Sequence, residues 1–239
     1  MATMTLDELV VQLKKAYGDN LRAVVLYGSA AAGEHIPKRS DYNVLVIVQQ
    51  LGLDQLRAAG AVAQAWGESG NPPPMTMTAA EWQASADIFP MEYADILERH
   101  RVLHGSAPFE GITVDRGHLR LQVENQAMGK LLRMRQGIMA AGGDGKRQIQ
   151  LLEDSLSALM VLFRAVARLN GEVPSTDYLA LSETMATRAG FEGTPFARVV
   201  RHVRGEQKLA ASDASAVLAG YLTGLEHLIR YLDRYIADS

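Results

Sequence analysis

The sequence predicts an α+β protein in two parts, a mixed-sheet domain over residues 1–112 and an all-α helical bundle over residues 113–239. Three observations predict this. Two strand-sized apolar runs, Leu21–Tyr27 and Val44–Val48, flank a turn and a polar loop. The triple proline Pro72–Pro74 forces an extended lead-in to Met75–Thr78. From Asp115 onward, apolar residues recur almost only at helical spacing.

Taken in order, Leu6, Leu9, Val10, Leu13 and Tyr17 mark a first helix, which Thr5 can cap and Gly18-Asp19-Asn20 stops. Leu21–Tyr27 is rich in Val and Leu and reads as a buried strand. Gly28-Ser29 ends it, and Asp41–Val48 reads as the second strand. Leu51–Ala65 reads as a helix, Met75–Thr78 as a short strand and Ala79–Ala84 as a short helix. Ile88–Ile96 reads as a third core strand interrupted early by Pro90, and Arg101–His104 as a short apolar piece ended by Gly105.

In the second half, Leu119, Val123, Ala127, Leu131 and Met134 mark one helix, broken by Gly142-Gly143-Asp144-Gly145. Ile149, Leu152, Leu156, Leu159, Leu162, Val166 and Leu169 mark the next, ended by Asn170-Gly171. Shorter helices are expected near 176–189 and 195–204, and a long one over 212–236 with Ser212 or Asp213 as cap.

Composition narrows the function classes. A formal net charge of -3 gives no general electrostatic case for nucleic acid or anionic membranes. The absence of Cys excludes disulfides and thiolate metal sites and fits a cytoplasmic setting. The amino-terminal stretch lacks the apolar core of a signal peptide, and no apolar run approaches the ~20 residues that span a bilayer. No membrane partner is therefore expected, and a homodimer stays open.

The chemistry concentrates in Val24–Val48. Side chains two apart on a strand point to the same face, so Asp41 and Asn43 are expected to share one. A Gly-Ser turn lets backbone amides approach a phosphate closely, and the Ser29 hydroxyl can donate one more hydrogen bond. Lys38 and Arg39, in the eleven-residue spacer between Ser29 and Asp41, could neutralise a triphosphate tail. The bland readings are an ordinary strand-ending turn at Gly28-Ser29 and a local cap or an Arg39 partner at Asp41.

This pattern resembles the nucleotidyltransferase superfamily that includes DNA polymerase beta and the aminoglycoside nucleotidyltransferases. The resemblance rests on Leu26-Tyr27-Gly28-Ser29, the spacer, and Asp41-Tyr42-Asn43, and it covers residues 20–105. It implies transfer of a nucleoside monophosphate from a Mg²⁺-bound NTP, ATP by expectation, to an acceptor that the sequence does not name. Two metals flanking the α-phosphate would suit that reaction. Gly28, Ser29, Lys38 and Arg39 would bind the nucleotide; Asp41, Asn43 and Glu92 would be the metal set; Asp41 and Glu92 would be catalytic.

The chain departs from the family pattern at Asn43, where a second acid is expected. An Asn carbonyl can ligate Mg²⁺ but adds no charge, so a catalytically degenerate nucleotide-binding or protein-interaction module is the alternative. A weaker alternative makes the bundle a dimerisation or RNA-contact element, as in antitoxins that resemble this fold. Glu92 is the candidate third acid, and on a regular strand Asp95, an odd step away, would face the other side. His100 and His104 stand four apart with no third ligand in sight. Lys130, Arg133 and Arg135 read either as a solvated helix face or as a contact to nucleotide or acceptor.

Overall fold

The structure, a computed structural model, describes residues 4–31 and 41–235, and of Ser29 its backbone alone. Lys38 and Arg39 lie outside the described residues. The chain divides into two compact units, Met1–Asp115 and Arg116–Ser239.

In the first unit, helix α1 (Leu6–Tyr17) leads into strand β1 (Leu21–Tyr27). The Thr5 side chain accepts from the Glu8 amide, and the Glu8 carboxylate accepts from the Thr5 amide, a reciprocal cap. Those hydrogen bonds hold the Glu8 carboxyl below its ordinary value. Strand β2 (Asn43–Val48) follows, then α2 (Leu53–Glu68), β3 (Met75–Thr78), α3 (Ala79–Ala84), α4 (Pro90–Glu98) and β4 (His100–Gly105). The sheet order is β3-β2-β1-β4. Strand β1 is antiparallel to both β2 and β4, and β2 is parallel to β3, so the sheet is mixed as expected.

Both faces of this sheet are covered, which explains why residues 23–26 of β1 and 44–48 of β2 are continuously apolar rather than alternating. Val24, Leu26, Val44, Val46 and Val48 pack with Leu9, Leu13, Val62 and Trp66 of α1 and α2. Ala23, Val25, Leu45 and Ile47 pack with Trp82 of α3 and Tyr93 and Ile96 of α4. Asn43 and Tyr27 continue this second set by strand alternation.

Two sequence expectations are corrected here. The segment Ile88–Ile96 is not a strand; from Pro90 it forms α4. Pro90 occupies the first turn, where its missing N–H costs nothing and its fixed φ suits a helix. Pro90, Tyr93 and Ile96 are buried at three-residue steps, a helical spacing. Strand β2 begins at Asn43, so Asp41 precedes it and is exposed rather than strand-borne.

The second unit comprises α5 (Arg116–Ala141), α6 (Gly145–Leu169), α7 (Tyr178–Ala189), α8 (Thr194–Arg204) and α9 (Ala214–Arg234). The Gly142–Gly145 run is a helix-helix turn: the Asp144 side chain caps α6 by accepting from the Lys146 and Arg147 amides. Close approach of α8 and α9 needs Gly224, where a β-carbon would lie 2.5 Å from the Phe196 ring. Phe196 stacks on Tyr221 at 4.2 Å between centroids. Arg135 pairs with Glu226 at 2.8 Å, tying α5 to α9, so this member of the basic helix face has a structural partner. Among the described residues, no helix is long and apolar enough to cross a membrane.

Candidate functional site

Strand β1 ends at Tyr27, and Gly28–Ala30 turns as a short 3-10 helix. Gly28 has φ of +74°, in the left-handed region that a β-carbon disfavours. Its N–H donates to the Arg99 carbonyl at 3.3 Å, and its own carbonyl accepts from the Ala31 amide at 3.1 Å. The Gly28 amide is thus already engaged by the end of α4. What Gly28 contributes to the turn is its conformation and the space where a side chain would be.

Two polar groups converge on that space. A β-carbon placed on Gly28 would lie 3.4 Å from Asn43 Nδ2 and 3.8 Å from Asp95 Oδ2. Asn43 gets there because β2 pairs Asn43 with Tyr27, directly beside the turn. Asp95 gets there because α4 lies on the same sheet face. That helix is anchored by Tyr93, whose ring stacks on Trp82 at 4.0 Å and whose hydroxyl donates to the Trp82 carbonyl at 2.6 Å. The Trp82 Nε1 donates in turn to the Pro108 carbonyl at 2.6 Å.

Glu92 and Asp95 are three residues apart on α4, so they share a helix face. The expectation that Asp95 would face away from Glu92 is therefore wrong: it followed from a strand period of two, and the observed helix brings residues i and i+3 together. Both carboxylates act on Tyr27. Its hydroxyl is pushed up to about 12, by burial first and then by the negative charges of Glu92 and Asp95. Tyr27 consequently stays protonated across the neutral range.

Asp41 is exposed just before β2. The amide of its neighbour Tyr42 donates to Asn71 Oδ1 at 3.0 Å, which ties the entry of β2 to the end of α2. Arg99, at the end of α4, is buried and lies 3.5 Å from Glu98. His100 and His104 stand on β4, not on a helix; His100 Nδ1 meets the Ile96 carbonyl at 2.8 Å and its ring packs on Phe109 at 4.3 Å. Among the described residues, no group of three His, Asp or Glu side chains is close enough to hold a metal by itself.

Asp95 and Tyr27 are the site neighbours that sequence reasoning missed. The signal for Asp95 was present as the Pro90, Tyr93, Ile96 spacing, which places Glu92 and Asp95 together on the remaining face.

No family model matches the chain, and no curated protein matches it. Among solved structures, the chain is similar to the crystal structure of spectinomycin adenyltransferase AAD(9) from Enterococcus faecialis with ATP and spectinomycin. The TM-score is 0.58 at 11% sequence identity, and the likeness covers 95% of this chain and 99% of that chain. At that identity it is the fold that is shared: this chain has a nucleotidyltransferase fold, a mixed-sheet part followed by a helical part.

Proposed function

We propose that the chain is a nucleotidyltransferase that moves a nucleoside monophosphate from an NTP, ATP in the first instance, to an acceptor. The observation that carries this reading is the convergence of Asn43 and Asp95 on the open side of the Gly28 turn, in a fold shared with an adenyltransferase solved with ATP. In this reaction an acceptor oxygen bonds to the α-phosphorus, the bond to the bridging oxygen breaks, and pyrophosphate leaves. Gly28 leaves room for the triphosphate to approach the backbone, and Ser29, Lys38 and Arg39 complete its seat. In this reading Glu92 takes the acceptor proton or binds metal, and Asp95 follows it three residues on along α4.

Mg²⁺ is commonly held by one or two carboxylates together with substrate phosphates and waters. The oxygens of Asp41, Asn43 and Glu92 are of the type that would suit an ion arriving with the nucleotide. The bound ion would neutralise the triphosphate. Asp95 restores in the same neighbourhood the negative charge that Asn43 does not carry.

A second reading is a catalytically inactive nucleotide-binding or protein-interaction module, and the neutral Asn43 favours it. One experiment separates the two. ATP binding is measured by calorimetry with and without Mg²⁺, together with pyrophosphate release, on wild type, Asp41→Ala and Asn43→Asp. The transferase reading expects Mg²⁺-dependent binding that weakens in Asp41→Ala, together with pyrophosphate release by wild type. Wild type that binds no ATP in either condition would sink it, and pyrophosphate release seen only in Asn43→Asp would establish the inactive module.

A further inference from the structure

The helical unit contains a cavity of about 570 Å³ between the end of α7 and the C-terminal half of α9, within the size range of small-molecule sites. Thr187 and Arg188 line one wall; His227, Arg230, Tyr231 and Arg234 line the other. The last four stand at i, i+3, i+4 and i+7, so α9 presents them on one face. Among the described residues, no acidic side chain lines this cavity, in a chain whose formal net charge is -3.

Cations in the last turn of a helix complement its dipole, and by themselves signal no ligand. A further feature does. Arg188 is already committed to an ion pair with Glu172. Arg230 and Arg234 have no ion pair among the described residues, and both are exposed. The opposite character is supplied by tyrosine. The Tyr231 hydroxyl donates to Asn170 Oδ1 at 2.8 Å, and the Tyr235 hydroxyl donates to the Leu169 carbonyl. With those protons committed, the two rings are held in place, 6.3 Å between centroids, in the same cavity lining as Arg230 and Arg234.

We infer that this cavity binds a phosphate-bearing small molecule, its phosphate on Arg230 and Arg234 and its organic part against Tyr231 and Tyr235. Guanidinium groups match phosphate oxygens in planar, paired hydrogen bonds, and aromatic rings accept a flat heterocycle. All the lining residues belong to the helical unit, and none is named in the proposed transferase site.

The test uses the full chain in EDTA, with AMP and adenosine as probes in calorimetric titrations. AMP is expected to bind without divalent metal, at least tenfold more tightly than adenosine. The Arg230→Ala/Arg234→Ala pair, with Arg230→Gln/Arg234→Gln as a second form, is expected to weaken AMP at least tenfold while thermal melting shows a folded protein. Asp41→Ala is expected to leave this binding unchanged. Wild type that fails to bind AMP would overturn the inference. So would equal binding of AMP and adenosine, retention of affinity in a folded arginine pair, or loss of binding in Asp41→Ala.

Discussion

The Asp95 carboxylate, carried by α4, reaches the turn that ends β1: its Oδ2 lies 3.8 Å from where a β-carbon on Gly28 would stand. Asn43 Nδ2 borders the same space at 3.4 Å. The carboxylate within 4 Å of that point is therefore borne by a helix rather than by the strand motif. An Asp at position 43 would put two carboxylates beside one glycine, and like charges that close resist joint ionisation.

Replacement of Gly28 by Ala tests the turn. The left-handed conformation at φ of +74° costs a β-carbon roughly 1–2 kcal/mol. The surrounding distances are ordinary contacts, so strain and not collision sets the effect. Urea unfolding of Gly28→Ala is expected to show a loss of about that size, with weakened ATP binding. Unchanged stability and affinity together would mean that the turn relaxes freely.

Removal of the Asp95 charge tests what α4 brings to the site. Asp95→Asn keeps size and leaves the Tyr93 and Trp82 anchor alone. Mg²⁺-dependent ATP affinity is expected to fall about tenfold, equivalent to about 1.4 kcal/mol. The thermal melt should stay within a degree or two of wild type. Equal affinity in the two proteins would remove Asp95 from the nucleotide site.

Tyr27 supplies a pH readout of the same neighbourhood. Its hydroxyl is raised from the ordinary 10.0 to about 12 in the folded chain. A raised folded-state value means that the associated stability is complete below the unfolded value and is lost as pH climbs from about 10 toward about 12. NMR of ring-labelled tyrosine, with Tyr27→Phe for assignment, should place the wild-type titration well above that of a free tyrosine. In Asp95→Asn the titration should move down, because one of the two repelling carboxylates has gone. An unshifted curve would show that the Asp95 charge does not act on the Tyr27 hydroxyl.

Much of the fold was legible in the sequence. Strands β1 and β2 are apolar runs too short for helices, and β3 follows a triple proline. The helices of the second unit declare themselves through long apolar series and through Asp144 and the glycines around it. Helix α4 was not legible, because Ile88, Phe89 and Tyr93 are strand-favouring residues and Pro90 suggests an interruption as readily as a first turn. That single error carried Asp95 to the wrong side of the sheet, since a period of two and a period of 3.6 disagree about residues three apart. Gly28 and Asn43 could be found from motif spacing. Their nearness to Asp95 could not, because it depends on packing between segments some fifty to seventy residues apart. The basic cavity escaped notice for a related reason: the α9 half of its wall is periodic, but Arg188 comes from another helix.

Trp66 and Trp82 are the chain's two tryptophans, and the sheet separates them. Trp66 lies in the layer built by α1 and α2, its ring 6.0 Å from that of Tyr42, next in sequence to Asp41. Trp82 lies in the opposite layer, stacked on the tyrosine that anchors α4. Each layer thus carries its own fluorophore, one adjoining the entry to β2 and the other the helix that bears Asp95. Single-tryptophan variants would let emission from the two sides of the sheet be followed independently as a ligand is added.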